Sequence, residues 1–473
     1  MRRSPNALVT TAAVVAAVLV LLAARHGAAL TRDSITYLAT GRNLLDHQRL
    51  TDFTGRPLTA FPPLYPLLAA GSATTARAIN ALATAATVVL TAALAARFVR
   101  HRTVLAATIA LVAVSPVLID LGRHVWSEPV FVALAMAVLL GLDRDEPLVA
   151  GVLTGLAFLA RYAGLVLLPV GLIVFVLRRR YRDAVVFAAT GAVAVVGWVV
   201  RNAIATDSTR DLLGPRLHTE STLAHTARRL AGGLKALVLP ASTPASVTAA
   251  VGAIALAAIV AALYVYRHAR PAERPLVPLT FAVLYVVFVA VSAYAAGADL
   301  DARTLGPVWP VAVVLLAWVV DRALPYARLR TPVAAVAVLA AVLTAAWAVT
   351  VAFERDAGER RAHRYPPQYD GLFAALAALP RDAAVVSDDP WGVYERTRYQ
   401  PIDFALVPVR AGLSIVPLSD DRLADLACRR PTYAVVTDPR TVIPPALEPT
   451  DETRVGGAVV VALRARTCPT PRS

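Results

Sequence analysis

"LVAGVLTGLAFLARYAGLVLLPVGLIVFVL", residues 148–177, is uncharged except for Arg161. As one helix it would run about 45 Å, well beyond the ~30 Å apolar core of a bilayer. As two, it becomes segments 147–160 and 162–177 that turn back at Arg161 and leave both ends on one side. The choice fixes the parity of every later crossing, and charge makes it. With Met1-Arg2-Arg3 inside, the two-segment reading puts "RFVRHR" (97–102), "RRRYR" (178–182), "RHARPAER" (267–274) and "DRALPYARLR" (321–330) all on the cytoplasmic side, as positive-inside bias requires. The one-helix reading sends the later clusters outside.

The rest of the chain suits such a frame. Of 473 residues 57% are hydrophobic and mean hydropathy is +0.60, so the fold class is an α-helical polytopic membrane protein. Predicted spans are 6–24, 76–96, 103–120, 129–142, 147–160, 162–177, 184–200, 246–266, 276–296, 305–320 and 332–352, about eleven in all. The short ones must tilt or lie half-buried against protein. A net charge of +15 would suit a nucleic-acid binder, but Lys235 is the only lysine. Such an Arg-rich, Ala-rich skew reads as codon bias, and the charges cluster at span ends, so nucleic acid is excluded as a partner. The first segment lacks a small-x-small cleavage site before Arg25-His26 and is expected to remain as an anchor.

This arrangement divides the chain into a membrane domain, 1–352, with an extracytoplasmic loop at 25–75, and an extracytoplasmic domain, 353–473. In the loop, apolar positions 35, 38, 39, 44 and 45 predict a helix along the membrane surface with Asp33 in its first turn. "FPPLYP" (61–66) ends it. The ordinary use of an acid at such a start is capping. In 208–240, residues Leu223, Ala227, Leu230, Leu234 and Leu237 form one face of a further surface helix. Beyond Phe353, helices are predicted at 369–380 and 420–430 and strands at 383–388 and 432–438, a small α/β domain. Cys428 and Cys468 both fall there, and spacing alone leaves open whether they pair.

Six motifs carry a resemblance: an acid opening the first loop in "DSITY" (33–37), "PPLYPLL" (62–68), "WSEPVF" (126–131), "RYAGLVLLP" (161–169), "GWVVRN" (197–202) and "RTLGPVWPV" (303–311). In this order and topology the chain resembles the C-type integral membrane glycosyltransferases, which include the protein O-mannosyltransferases and lipid A aminoarabinose transferases. The resemblance implies transfer of a sugar from a polyprenyl-phosphate carrier to an extracytoplasmic lipid, glycan or protein acceptor, by inverting displacement with a carboxylate base, at the plasma membrane.

Such chemistry needs a base for the acceptor hydroxyl, cations for the departing phosphate and an apolar groove for the prenyl chain. Asp33 is the candidate base and Glu128 the second acid, placed to orient the acceptor or hold a divalent metal. The class includes both metal-dependent and metal-independent members, so the metal stays open. Arg123, His124, Arg161, Arg201 and Arg303 are the candidate phosphate contacts, since guanidinium groups match phosphate oxygens with paired donors. Each alone could be a snorkelling side chain, but short outer loops should be poor in Arg. Tyr37, Tyr65, Tyr162 and Asn202 lie in the same motifs as candidate substrate contacts. A multi-span transporter or lipid flippase is the alternative; its repeated halves and midplane charges are not evident here.

Overall fold

The computed structural model describes residues 5–206, 222–240, 243–270, 273–296, 298–323, 344–351, 353, 371–380, 382–397, 420–437, 441, 443–456 and 458–468. After α1 (Pro5–Ala23), the first loop folds into α2 (Arg32–His47) and α3 (Leu64–Ala69). The bundle continues through α4 (Ala73–Ala95), α5 (Arg102–Ala113), α6 (Pro116–Arg123), α7 (Glu128–Asp143), α8 (Pro147–Ala160), α9 (Leu167–Leu177) and α10 (Tyr181–Thr206). It closes with α11 (Leu223–Val238), α12 (Ala245–His268), α13 (Leu276–Ala296), α14 (Ala302–Leu305) and α15 (Trp309–Ala323). Its core is aromatic and aliphatic, with Phe131, Leu139, Phe175, Phe281, Tyr285 and Val314 all fully or nearly fully buried.

Among the described residues, six helical runs are long and apolar enough to cross a membrane: Asn6–Ala23, Ala73–Ala95, Arg102–Arg123, Tyr181–Ala205, Leu276–Ala295 and Ala302–Ala323. The 24-residue α12 is also of spanning length. The predicted count of eleven is not confirmed: α7 and α8 have only 16 and 14 residues, 162–177 is a 3-10 turn followed by the 11-residue α9, and span 332–352 lies mostly outside the described residues. The 103–120 span is two helices, broken where the Ser115 hydroxyl accepts from the Leu118 amide and Pro116 opens α6.

The stretch around Arg161 is a hairpin. α8 stops at Arg161, whose backbone is extended (φ −159°, ψ 136°). A 3-10 turn, Tyr162–Val166, leads into α9. Gly164 permits it, since a Cβ there would sit 2.4 Å from the Phe158 nitrogen. The chain then returns to its starting level, where Arg178 binds the Leu142 carbonyl at 2.9 Å and Asp145 at 2.6 Å. α8 lies tightly on α10 through Gly151 and Gly155, which face Thr190 and Ala194. This is the small-residue contact by which membrane helices approach closely, and a side chain at Gly151 would meet the Phe187 carbonyl.

The described residues of the four basic clusters meet on one face, as the charge argument requires. Arg97 pairs with Asp143 at 2.7 Å and Arg180 with Asp145 at 2.7 Å. Glu273 accepts from Arg100 and Arg322, and Asp321 holds His101 at 2.8 Å.

The surface helix predicted after Asp33 is α2, and the one predicted within 208–240 is α11, whose preceding residues 207–221 lie outside the described ones. The C-terminal region carries the predicted strands as β1 (Ala384–Ser387) and β2 (Thr432–Val436), which pair in parallel. Its predicted helices are Leu372–Ala377 and Asp420–Arg429. Two strands were not foreseen, β3 (Leu447–Val455) and β4 (Ala458–Ala465), which complete a sheet of order β1-β2-β4-β3. β3 is an exposed edge strand with a proline and acids, so it lacks apolar alternation. Cys428 and Cys468 are bonded, closing a 40-residue separation that constrains the unfolded chain by about 4 kcal/mol. Another unforeseen helix, Pro390–Thr397, docks the sheet onto α2: Trp391 and Tyr394 pack with Ile35, Ala39 and Phe53.

Candidate active site

Three separate stretches converge at the face opposite the basic clusters. Residues beside Ala29 pair with the strand-like turn after α6, Ala29 N donating to Arg123 O (3.0 Å) and Val125 N to Ala29 O (3.1 Å). This fixes the start of α2 against "WSEP". Trp126 adds an indole hydrogen bond to the Thr31 hydroxyl at 2.9 Å. The third stretch is α14, opened by an Asp301–Thr304 capping box and tied to α13 by Tyr285 Oη on Thr304 O at 3.0 Å.

Arg303 on α14 is the hub. Its Nη2 donates to Asp33 Oδ2 at 2.6 Å, its Nε donates to Glu128 Oε1, and its guanidinium lies 4.1 Å above the Trp126 ring. Arg161, at the tip of the hairpin, pairs with the same Glu128 at 2.8 Å. Asp33, Arg161 and Arg303 keep 21%, 21% and 18% of their side-chain surface open, whereas Glu128 has none. Glu128 Oε2 is nevertheless without a hydrogen-bond partner among the described residues. That oxygen is a buried acceptor awaiting a donor or a cation.

The helix cap of α2 is not Asp33. Thr31 caps it, its hydroxyl accepting from the Ser34 amide while Ser34 Oγ accepts from Thr31 N. The Asp33 carboxylate is therefore turned to Arg303 and not to its own helix.

Tyr37, one turn along α2, reaches Ser127 with its hydroxyl at 3.2 Å. Burial pushes its phenol well above its ordinary range, reinforced by Asp33 and Glu128, so it stays a neutral donor. Tyr65 and Phe61 pack edge-on against its ring. Ser127 also receives Arg161 at 3.5 Å.

The remaining candidates lie elsewhere. Arg123 pairs with Asp120 at 2.7 Å. His124 stacks on Trp126, with centroids 3.8 Å apart and Nδ1 2.8 Å from the Asp120 carbonyl. Burial lowers its pKa, so the ring supports Trp126 as a neutral group. Arg201, Tyr162 and Asn202 form a second cluster. Arg201 binds the Leu50 and Leu58 carbonyls, Tyr162 Oη donates to Thr59 O at 2.6 Å, and Trp198 and Asn202 donate to Tyr162 Oη. Together they hold down loop 50–59. The motif argument missed Trp126, Ser127 and Tyr285. The first two stand inside "WSEP", next to an acid already singled out, while Tyr285 sits in an apolar span with no local signal.

Among the described residues no three His, Cys, Asp or Glu side chains gather into a metal cluster.

Solved structures of similar fold include ArnT and an archaeal oligosaccharyltransferase. ArnT from Cupriavidus metallidurans bound to undecaprenyl phosphate matches with TM-score 0.59 and 13% identity, over 99% of this chain and 100% of that one. Its apo form matches with TM-score 0.61 and 13% identity, over 97% and 98%. The archaeal oligosaccharyltransferase AglB from Archaeoglobus fulgidus, in complex with an inhibitory peptide and a dolichol-phosphate, matches with TM-score 0.52 and 14% identity, over 90% and 69%. At such identity the likeness is one of fold, that of the C-type glycosyltransferases. The sequence model of glycosyltransferase family 87 matches residues 53–293, just over half the chain, and the chain belongs to that family. The match includes Glu128, Arg161 and Arg201 and leaves Asp33 and Arg303 outside. No curated protein matches the chain in sequence.

Proposed function

We propose that this multi-pass membrane glycosyltransferase moves a sugar from a polyprenyl-phosphate carrier to a hydroxyl-bearing acceptor by a single inverting displacement, with Asp33 as base. The observation that carries it is Arg303 bridging two acids at an open edge, with Asp33 freed from capping by Thr31. The solved relatives that bind undecaprenyl phosphate and dolichol-phosphate support the carrier class.

The acceptor oxygen attacks the anomeric carbon as its bond to the phosphate oxygen breaks. The electron pair leaves with the polyprenyl phosphate, and the acceptor proton passes to Asp33. Arg303 and Arg161 each retain N–H groups beyond those spent on the acids, and these stabilise the departing phosphate. Glu128 keeps both arginines in place. The acceptor is a hydroxyl-bearing lipid, glycan or protein. Mass spectrometry of lipids co-purified with the chain tests the reading: a polyprenyl phosphate or its glycosylated form is expected, and its absence even after adding such a lipid would remove the donor.

The site face is extracytoplasmic in this proposal, because all four arginine-rich clusters lie opposite it. The disulfide supports that side, where thiols oxidise. Both native cysteines are bonded, so one introduced thiol gives a clean label. Cysteine at exposed Asp46, in α2, is expected to react with an impermeant reagent in intact cells. Cysteine at exposed Arg182 is expected to react only after lysis; labelling of Arg182→Cys from outside would invert the topology.

A further inference from the structure

A cavity of about 520 Å³ opens among the basic clusters, at the end of the α8–α9 hairpin remote from Arg161. That volume lies within the roughly 300–1,000 Å³ of ordinary ligand pockets. Five helix ends build it: Arg97 and Phe98 after α4, Asp143 closing α7, Leu177 and Arg178 closing α9, Tyr266 in α12, and Arg274 and Leu276 leading into α13; Asp145 adds a second acid from the turn before α8. Three arginines against two aspartates leave the lining one positive charge in excess.

The arginines are not equivalent. Arg97 and Arg178 are held by Asp143 and Asp145. Arg274 reaches only main-chain oxygens, Ala269 O at 3.2 Å and Arg267 O at 3.4 Å, and lies 4.9 Å over the Tyr266 ring. It has no acid partner among the described residues. The other wall is apolar, made by Phe98, Leu177, Tyr266 and Leu276. Leu177 is 62% exposed, and Ile173 and Val176 continue an exposed apolar strip along α9. One surplus guanidinium beside a strip facing the hydrocarbon suits a ligand with one negative charge and an acyl chain. A free anion has no use for the strip.

We infer that this cavity binds the phosphodiester headgroup of a membrane phospholipid, with Arg274 on the phosphate and an acyl chain leaving past Leu177 along α9. The site is separate from the Asp33 network and does not depend on the carrier proposed there. Arg97 and Arg178, paired with Asp143 and Asp145, add weaker attraction.

Native mass spectrometry of the full chain in detergent, titrated with phosphatidylglycerol, tests this. One lipid is expected to stay bound to the native chain. In Arg274→Ala, occupancy at fixed lipid is expected to fall by about tenfold or more, the usual consequence of losing a charge-assisted hydrogen bond. Leu177→Glu changes an exposed side chain, so the fold is kept, and its carboxylate is expected to weaken retention similarly. Equal retention in all three chains would overturn the site. Displacement of the lipid by millimolar inorganic phosphate alone would overturn the phospholipid assignment and leave a simple phosphate site.

Discussion

Asp33→Asn is expected to fold as the native chain does and to lose sugar transfer by about two to four orders of magnitude, the usual scale for removing a positioned proton acceptor. Stability is spared for two reasons. The cap of α2 rests on Thr31 and Ser34, and an asparagine at position 33 keeps a side-chain oxygen to accept from Arg303. Arg303 also keeps its contact with Glu128, so the hub stays in place. Ser34→Ala is the matching control: it removes half of the capping box at a cost of about 1 kcal/mol and leaves both the carboxylate and the Trp126–Thr31 hydrogen bond. Thermal melting and transfer of a labelled sugar separate the two effects. Near-normal turnover in Asp33→Asn would pass the role of base to Glu128.

Arg303→Ala is expected to fail in both respects. From the sequence alone, loss of this arginine should touch donor use more than folding. The structure changes that expectation, because Glu128 is fully buried and keeps only Arg161 when Arg303 is gone. Removing one of its two cations costs part of the ~3–5 kcal/mol that a buried charge loses with its sole partner. Arg303→Lys keeps a cation between Asp33 and Glu128, so most of the stability should return, while the paired donors suited to a phosphate are lost and transfer stays low. Comparing the two variants distinguishes a phosphate contact from a structural bridge. Undiminished stability in Arg303→Ala alone would mean that Glu128 does not depend on it.

The parts of this fold readable in advance were those with a strong periodic or charge signal. The hairpin at Arg161 was one, because one charge in 30 apolar residues has few stable placements, and the basic clusters fixed which. Asp33, Glu128, Arg161 and Arg303 were singled out as separate loop residues, and they meet in one network. Their pairing was not legible, since it depends on Ala29 hydrogen-bonding to the turn after α6, a backbone contact with no sequence signature. For the same reason Arg201, Tyr162 and Asn202 looked like members of the site. They share the chemistry of ligand-binding residues, but their partners are carbonyls of loop 50–59, and carbonyls are identical at every position. In the C-terminal region β1 and β2 were found and β3 and β4 missed; β3 is exposed and lacks apolar alternation, whereas the buried "AVVVAL" of β4 does carry a strand signal.

The brevity of α8 bears on the membrane as well as on the protein. Fourteen residues at 1.5 Å each give a rod of about 21 Å, roughly 9 Å shorter than a typical hydrocarbon layer. Its outward side is apolar and bare, with Leu148, Val149, Val152 and Leu156 all exposed, so lipid must meet it directly. The bilayer answers such hydrophobic mismatch by thinning around the short element. Where the layer thins, headgroups would sit closer to Arg161, and sugar transfer is then expected to depend on the acyl-chain length of the surrounding membrane.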